Sequence, residues 1–220
     1  MIITQEIGGL NMETKLEKES DLVLIINPDL CEDFMDDMRA FLHYSVADNK
    51  CVLFINTSHE RPKYNKEEFK NCSYLEKYTM MKQLKALKEY EIDKQALIAM
   101  DNIKYRELNI PEVDCTSIDE NMSKLFELLH QMKNLKRVTI AGAYLNEEIV
   151  NLIVALRIYF KRKGMYVGLI VPPALTITNI PKLVRNQKEF EIFNSFMLDG
   201  VRLDFSQYNW SLIRKENRFR

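Results

Sequence analysis

With 220 residues, 46% of them hydrophobic, the chain can bury a substantial core in one α/β domain, and this composition excludes global disorder. Lysine plus arginine (31) nearly balance aspartate plus glutamate (32), so the chain lacks the basic field that sequence-independent nucleic-acid binding needs. Four widely spaced cysteines, Cys31, Cys51, Cys72 and Cys115, form no CxxC pair, which excludes a zinc knuckle or a dithiol redox motif.

The first twenty residues read as a polar arm broken by Gly8-Gly9, with no basic, apolar leader. No uncharged apolar run is long enough to span a bilayer, so the expectation is a cytoplasmic protein with reduced thiols and no membrane contact. Residues 21–205 are read as a single domain, and residues 206–220, with Trp210 and several arginines, as a basic tail.

Residues 21–27 (DLVLIIN) form a continuous apolar run, the pattern of a strand buried on both faces. A helix is predicted over 32–47, where Phe34, Met38, Phe41 and Leu42 recur at helical spacing. Residues 51–56 (CVLFIN) make a second buried strand that runs into Thr57-Ser58-His59. Residues 60–71 read as a polar loop, and Ser73 with Glu76 as a capping box opening a helix to about Tyr90. Residues 95–100 (QALIAM) are predicted as a short strand, 101–111 as irregular, and 113–115 as a strand end. A second capping box at Ser117 opens a helix striped with Met122, Leu125, Phe126, Leu129 and Met132.

Residues 136–173 carry the strongest pattern: an apolar run, a long helical period begun at Asn146, and a second apolar run, which together make a βαβ unit. Beyond Pro172-Pro173, a helix is predicted to start near Pro181 and end at Gly200, with a last strand over 201–205. Alternating strands and helices predict an open, mostly parallel, doubly wound sheet with helices on both faces. Ligands in such sheets bind beyond the carboxyl ends of the strands. That edge collects Asn27, Asp29, Cys31, His59, Asp101, Asp114, Cys115, Tyr144, Asn146, Glu147 and Glu148.

His59 follows a buried strand directly, whereas His43 and His130 fall inside helical patterns. Glu147 and Glu148 sit where a helix N-terminus favours negative charge, and Glu148 is also a candidate general base. Cys31 and Cys115 precede helices, where a thiol pKa can fall, yet a small buried hydrophobe is the commoner role. Zinc accepts a mixed set such as His59, Asp29 and Cys31 or Cys115, but no spacing demands it and no metal or cofactor is assigned. Glycines are missing between the first strand and its helix, which argues against a dinucleotide site, and no Walker A motif exists.

Over about residues 21–175 the order of elements resembles the isochorismatase-like cysteine hydrolases. In that family the first strand ends in an aspartate; here the stretch is Ile26-Asn27-Pro28-Asp29. The second ends in Asp-x-His; here it is Thr57-Ser58-His59. The family's nucleophile loop, Gly-Val-x-Thr/Ser-x-x-Cys-Val, corresponds to residues 142–149, and the following strand and exit to residues 166–174. The resemblance implies a thiolate activated by an aspartate beside a lysine, and homo-oligomeric association. Asn27 stands at the aspartate position and Glu148 at the cysteine position, and Asp114, Cys115 and Thr116 stand where the lysine is expected. The first expectation is therefore a catalytically degenerate member acting through binding or oligomerisation, with Asn27, Asp29, His59, Tyr144 and Glu148 lining its site and its small-molecule or protein partner undefined. The alternative is a hydrolase with a rebuilt acid–base or metal site drawn from Glu148, His59 and Cys115. A third is a regulatory partner acting through the tail.

Overall fold

The computed structural model describes residues 20–31, 34–59, 66–100, 104–113 and 122–204. The N-terminal arm, the tail with Trp210, Asp101, Asp114 and Cys115 lie outside the described residues. Among the described residues, seven parallel strands form one sheet: β1 (Asp21–Ile26), β2 (Cys51–Asn56), β3 (Tyr105–Asn109), β4 (Arg137–Ala143), β5 (Gly168–Val171), β6 (Thr176–Ile177) and β7 (Arg202–Leu203). The order runs β3-β2-β1-β4-β5-β7, and β6 pairs with the carboxyl end of β4. The helices are α1 (Met35–Ala47), α2 (Lys66–Asn71), α3 (Tyr74–Ala99), α4 (Ser123–Gln131), α5 (Val150–Lys163) and α6 (Lys182–Leu198).

Strand side chains alternate between two cores. Val23 and Ile25 of β1 pack with Met35, Met38 and Phe41 of α1 and with Leu87 and Tyr90 of α3. Leu22, Leu24 and Ile26 face the other way, onto Leu125 and Leu129 of α4, Leu152 and Leu156 of α5, and Phe196 of α6. The chain thus winds outward from β1 to β3 under α1 and α3, then returns to β4 and winds the other way under α5 and α6. This is the doubly wound α/β fold, with its switch point between β1 and β4, where such sheets open a crevice. No helix among the described residues is long and apolar enough to cross a membrane.

Several expectations need correction. The segment 95–100 is not a strand: α3 continues to Ala99, because no glycine or proline interrupts it and its buried positions Ala86, Leu87, Tyr90, Lys94 and Leu97 keep the helical period. The strand lies in the segment read as irregular. β3 (YRELN) escaped notice because it is an edge strand, where Tyr105 and Leu108 face inward and charges between them are tolerated. Val113 is buried in irregular chain, not in a strand. Within the loop expected over 60–71, residues Lys66–Asn71 form the short α2. The last strand is only Arg202–Leu203, and β6 was not foreseen, two residues being too few to make a pattern.

The Ser73–Glu76 capping box is present, the Glu76 N–H donating to Ser73 Oγ (3.3 Å) and the Ser73 N–H to Glu76 Oε2 (2.7 Å). The capping box expected at Ser117 lies outside the described residues, and at the helix start expected at Asn146 the cap differs. Helix α5 is entered through a π-helical turn, Leu145–Ile149, and Asn146 does not cap it. The Glu148 carboxylate does so, its Oε2 accepting the Tyr144 N–H at 2.9 Å.

Candidate functional site

The carboxyl edge at the switch point is stapled by Asn27. This residue is 2% exposed and adopts a left-handed backbone (φ 42°), which asparagine tolerates better than most residues. Its Nδ2 donates to Thr57 Oγ1 (2.9 Å) and to the Ala143 carbonyl (3.3 Å), and its Oδ1 accepts the Thr57 N–H (2.8 Å). One side chain therefore ties together the exits of β1, β2 and β4. Beside it, Gly142 has φ 115°, and a Cβ there would lie 1.9 Å from the Ile26 carbonyl oxygen, so only glycine lets β4 approach β1 this closely.

The exit of β2 carries His59 to the entry of α5. His59 Nε2 lies 2.5 Å from Glu148 Oε1 and 3.2 Å from Glu147 Oε2. The ring meets Tyr144 edge-on, centroids 5.3 Å apart. Each glutamate is held by one oxygen and offers the other. Glu148 Oε2 takes the Tyr144 N–H. Glu147 Oε1 takes a hydrogen bond from Asn179 Nδ2. Asn179 is fixed in turn through Asn146, whose Nδ2 donates to Asn179 Oδ1 (2.5 Å) and whose Oδ1 accepts from Thr178 Oγ1 (2.8 Å). The short strand β6 makes this possible by pairing with Gly142 and Ala143 and delivering 178–179 to the head of α5.

His59, Glu147 and Glu148 line a cavity of about 360 Å3 together with Ser58, Pro111, Glu112, Val113 and Asn151. The Glu148 side chain is 6% exposed, whereas those of Glu147 and His59 are 38% and 42% exposed. Burial pushes the Tyr144 phenol up, and the negative charges of Glu148, Glu147 and Asp29 push it further. A hydrogen-bonded imidazole–carboxylate group at a pocket mouth has the parts needed to accept and return a proton. The donor set of one imidazole and two carboxylates is also one that zinc accepts.

Among the solved structures similar to this chain are the following three. A cysteine hydrolase from Pseudomonas syringae pv. phaseolicola 1448A is 7% identical, with a TM-score of 0.48 over 88% of this chain and 89% of its own. A pyrazinamidase/nicotinamidase from Streptococcus mutans UA159 is 10% identical, with a TM-score of 0.49 over 84% and 99%. An N-carbamoylsarcosine amidase from Thermoplasma acidophilum is 10% identical, with a TM-score of 0.43 over 86% and 97%. No protein-family model matches the chain, and no curated protein does. The fold class itself stands on the strand order and register given above.

Of the residues expected at this edge, the structure brings His59, Tyr144 and Glu148 together, with Asn27 behind them as a staple. Asp29 lies in the 3-10 turn Pro28–Leu30 and does not line the cavity. Cys31 is buried, with its thiol turned to the Asn27 carbonyl (3.9 Å). Burial, and then the charge of Asp29, push that thiol well above its ordinary range, so the low-pKa thiol that a helix start could give is not realised here. The mixed zinc set of His59 with Asp29 and Cys31 is therefore not what forms; Glu147 and Glu148 stand beside His59 instead. Asn151, Glu112 and Asn179 were missed. Asn151 follows Glu147 by four residues and so shares its helical face, a signal that spacing carried; Glu112 and Asn179 come from loops with no period to read.

Proposed function

We propose that the protein is a hydrolase acting at this pocket on a small substrate that is uncharged or positively charged, with water in place of a cysteine as the nucleophile. The observation that carries the reading is the convergence of His59 Nε2 on Glu148 Oε1 at 2.5 Å, from two separate strand exits, at the mouth of a cavity. Structural carboxylates at a helix start need no imidazole partner, since the helix N-terminus already favours their charge. Glu112, Glu147 and Glu148 line the cavity and no described lysine or arginine does, so an anionic substrate would be repelled.

In the reaction, the His59–glutamate group takes a proton from a bound water. The water oxygen bonds to the carbonyl carbon of an amide or ester, the bond to the leaving nitrogen or oxygen breaks, and the proton passes to the leaving group. No covalent enzyme intermediate is required. Asn27 cannot serve as the base that the resembling family has at this position, because both atoms of its amide are occupied in stapling strands. The test is a panel of small amides and esters offered to the wild type and to Glu148→Gln, with the fold checked by circular dichroism. The expected result is turnover of at least one substrate and a loss of roughly 100-fold or more in kcat in the variant. A folded wild type inert across the panel would sink the reading.

A second reading, self-association, is favoured by α3. Its first half exposes Tyr74, Leu75, Tyr78 and Met81, three of them at positions i, i+4 and i+7 on one face. Exposed contiguous apolar surface is a mark of interaction sites. The two readings are compatible, since this row lies on α3, whereas the pocket is lined from α5 and the exits of β2 and β3.

A further inference from the structure

The two cores leave part of one sheet face outside both of them. On the side that α1 and α3 cover, Val23 and Ile25 of β1 and Ala141 and Ala143 of β4 are packed into a core. Farther along the same side, the half-buried Ile170 of β5 belongs to neither core. Thr139, Ile170 and Arg202 are register partners, so they form one row across β4, β5 and β7. This row floors a cavity of about 360 Å3 that shares no lining residue with the pocket at His59. Among the described residues, the one helix that lines it is α1, at its flank, through Phe41 and Tyr44. Parallel strands are stable with both faces covered, so something must lie over this row.

We infer that this face is the docking site of the chain's own segment 205–220, seated through Tyr208, Trp210 and Leu212. The segment starts at the cavity. Asp204 lines it, and the Asp204 N–H still donates to the Val171 carbonyl of β5 at 3.0 Å. Its sequence has the right period. In Tyr208-Asn209-Trp210-Ser211-Leu212 every second residue is apolar, the pattern of an extended segment with one side to bury. From Asp204 to Trp210 an extended chain reaches about 20 Å. The three strand spacings from β7 to β1 take about 15 Å, so the indole can reach any part of the cavity. So short a tether gives an effective concentration of about millimolar, and modest contacts suffice to seat it.

The chemistry of the cavity favours this occupant. Its floor sets Ile170 between the guanidinium side chains of Arg137 and Arg202. An aromatic ring laid there gains apolar contact beneath it and cation–π contact at its edges. A small ion finds less, because the charges already pair. Asp21 takes two hydrogen bonds from Arg137 (2.5 and 2.7 Å), and Lys50 meets Asp48 at 3.1 Å with its ammonium over the Tyr44 ring. Residues 1–19 also lead to the cavity, entering β1 at Asp21, but they contain no aromatic residue.

Trp210 is the chain's single tryptophan, so its fluorescence reads the docking directly in the full chain. Emission and acrylamide quenching are measured for the wild type, Ile170→Lys and Arg202→Glu, with each fold checked by circular dichroism. The expected wild type has the blue-shifted emission of a shielded indole, the same at every protein concentration. Both variants are expected to shift the emission to the red and to raise quenching several-fold. Arg202 is exposed, so Arg202→Glu leaves both cores intact and keeps the test open if Ile170→Lys unfolds. A wild type with the emission of a water-exposed indole overturns the inference. Emission unmoved in the folded variants also overturns it and gives the face to residues 1–19 or to a separate molecule. A blue shift that grows with protein concentration overturns it too and seats the segment on a second copy.

Discussion

Asn27 and Gly142 decide how closely β1 and β4 meet at the crevice, and both make sharp predictions. Replacing Gly142 with alanine puts a methyl group into the Ile26 backbone at a φ that side-chain-bearing residues avoid. The expected cost is about 3 kcal/mol, read as a fall in Tm of roughly 6–12 °C. Asn27→Asp restores the acid found at this position in the resembling family, yet it is expected to destabilise. A carboxylate there loses the donor to Thr57 and faces the Ala143 carbonyl, for a cost of about 1–3 kcal/mol in a thermal or urea melt, with no gain in turnover. An unchanged Tm would contradict the stapling role. The sequence made Asn27 visible as a replaced acid. It did not reveal what the amide does, because that depends on two strands 30 and 116 residues away.

Among the elements, legibility followed pattern strength. β1, β2, β4 and α5 were readable because buried parallel strands are uniformly apolar and the helix that follows β4 has a clear period. β3 was not, because its side chains are set by an edge position that only the assembled sheet defines. α3 was read too short because its carboxyl half is anchored by polar groups that a hydrophobic pattern misses. Lys94 is buried against Glu107 of β3 (2.6 Å) with its ammonium over the Phe54 ring. Arg39 of α1 pairs with both Glu89 and Asp93, and His43 meets Asp93 at 2.7 Å.

This clamp has a pH signature. Burial raises the Asp93 carboxyl, but the hydrogen bonds and charges of Arg39 and His43 outweigh it and hold the group below its ordinary 3.8. The folded state then binds fewer protons than the unfolded one, so the stabilisation is present above that value and is lost as pH falls through the lowered pKa. Asp21, held down chiefly by Arg137, acts with the same sign. Thermal melts from about pH 5 to about pH 3 should show Tm falling with acid, and less steeply in Asp93→Asn. Parallel slopes for the two proteins would remove Asp93 from the account.

At the scale of the whole molecule, the doubly wound sheet explains why a site forms here. Reversal of the winding between β1 and β4 opens the edge where β2 delivers His59 and β4 delivers Glu147 and Glu148. His59 and Glu148 were both legible as candidates in the sequence. Their meeting was not, because 89 residues separate them and only the strand order brings them together. Self-association through the exposed row on α3 predicts a species heavier than the 26.0 kDa chain in light scattering, shifted toward monomer by Tyr78→Lys. A monomeric wild type at working concentrations would contradict it.

The central claim is that chemistry at this pocket runs through His59 and the two glutamates and not through a thiol. It is tested most directly by comparing kcat/KM, on whichever small amide or ester the protein turns over, for the untreated chain, the iodoacetamide-treated chain and Glu148→Gln. The account predicts that alkylation leaves the rate within about twofold and that Glu148→Gln lowers it roughly 100-fold or more. Inactivation by alkylation with full activity in Glu148→Gln would contradict it.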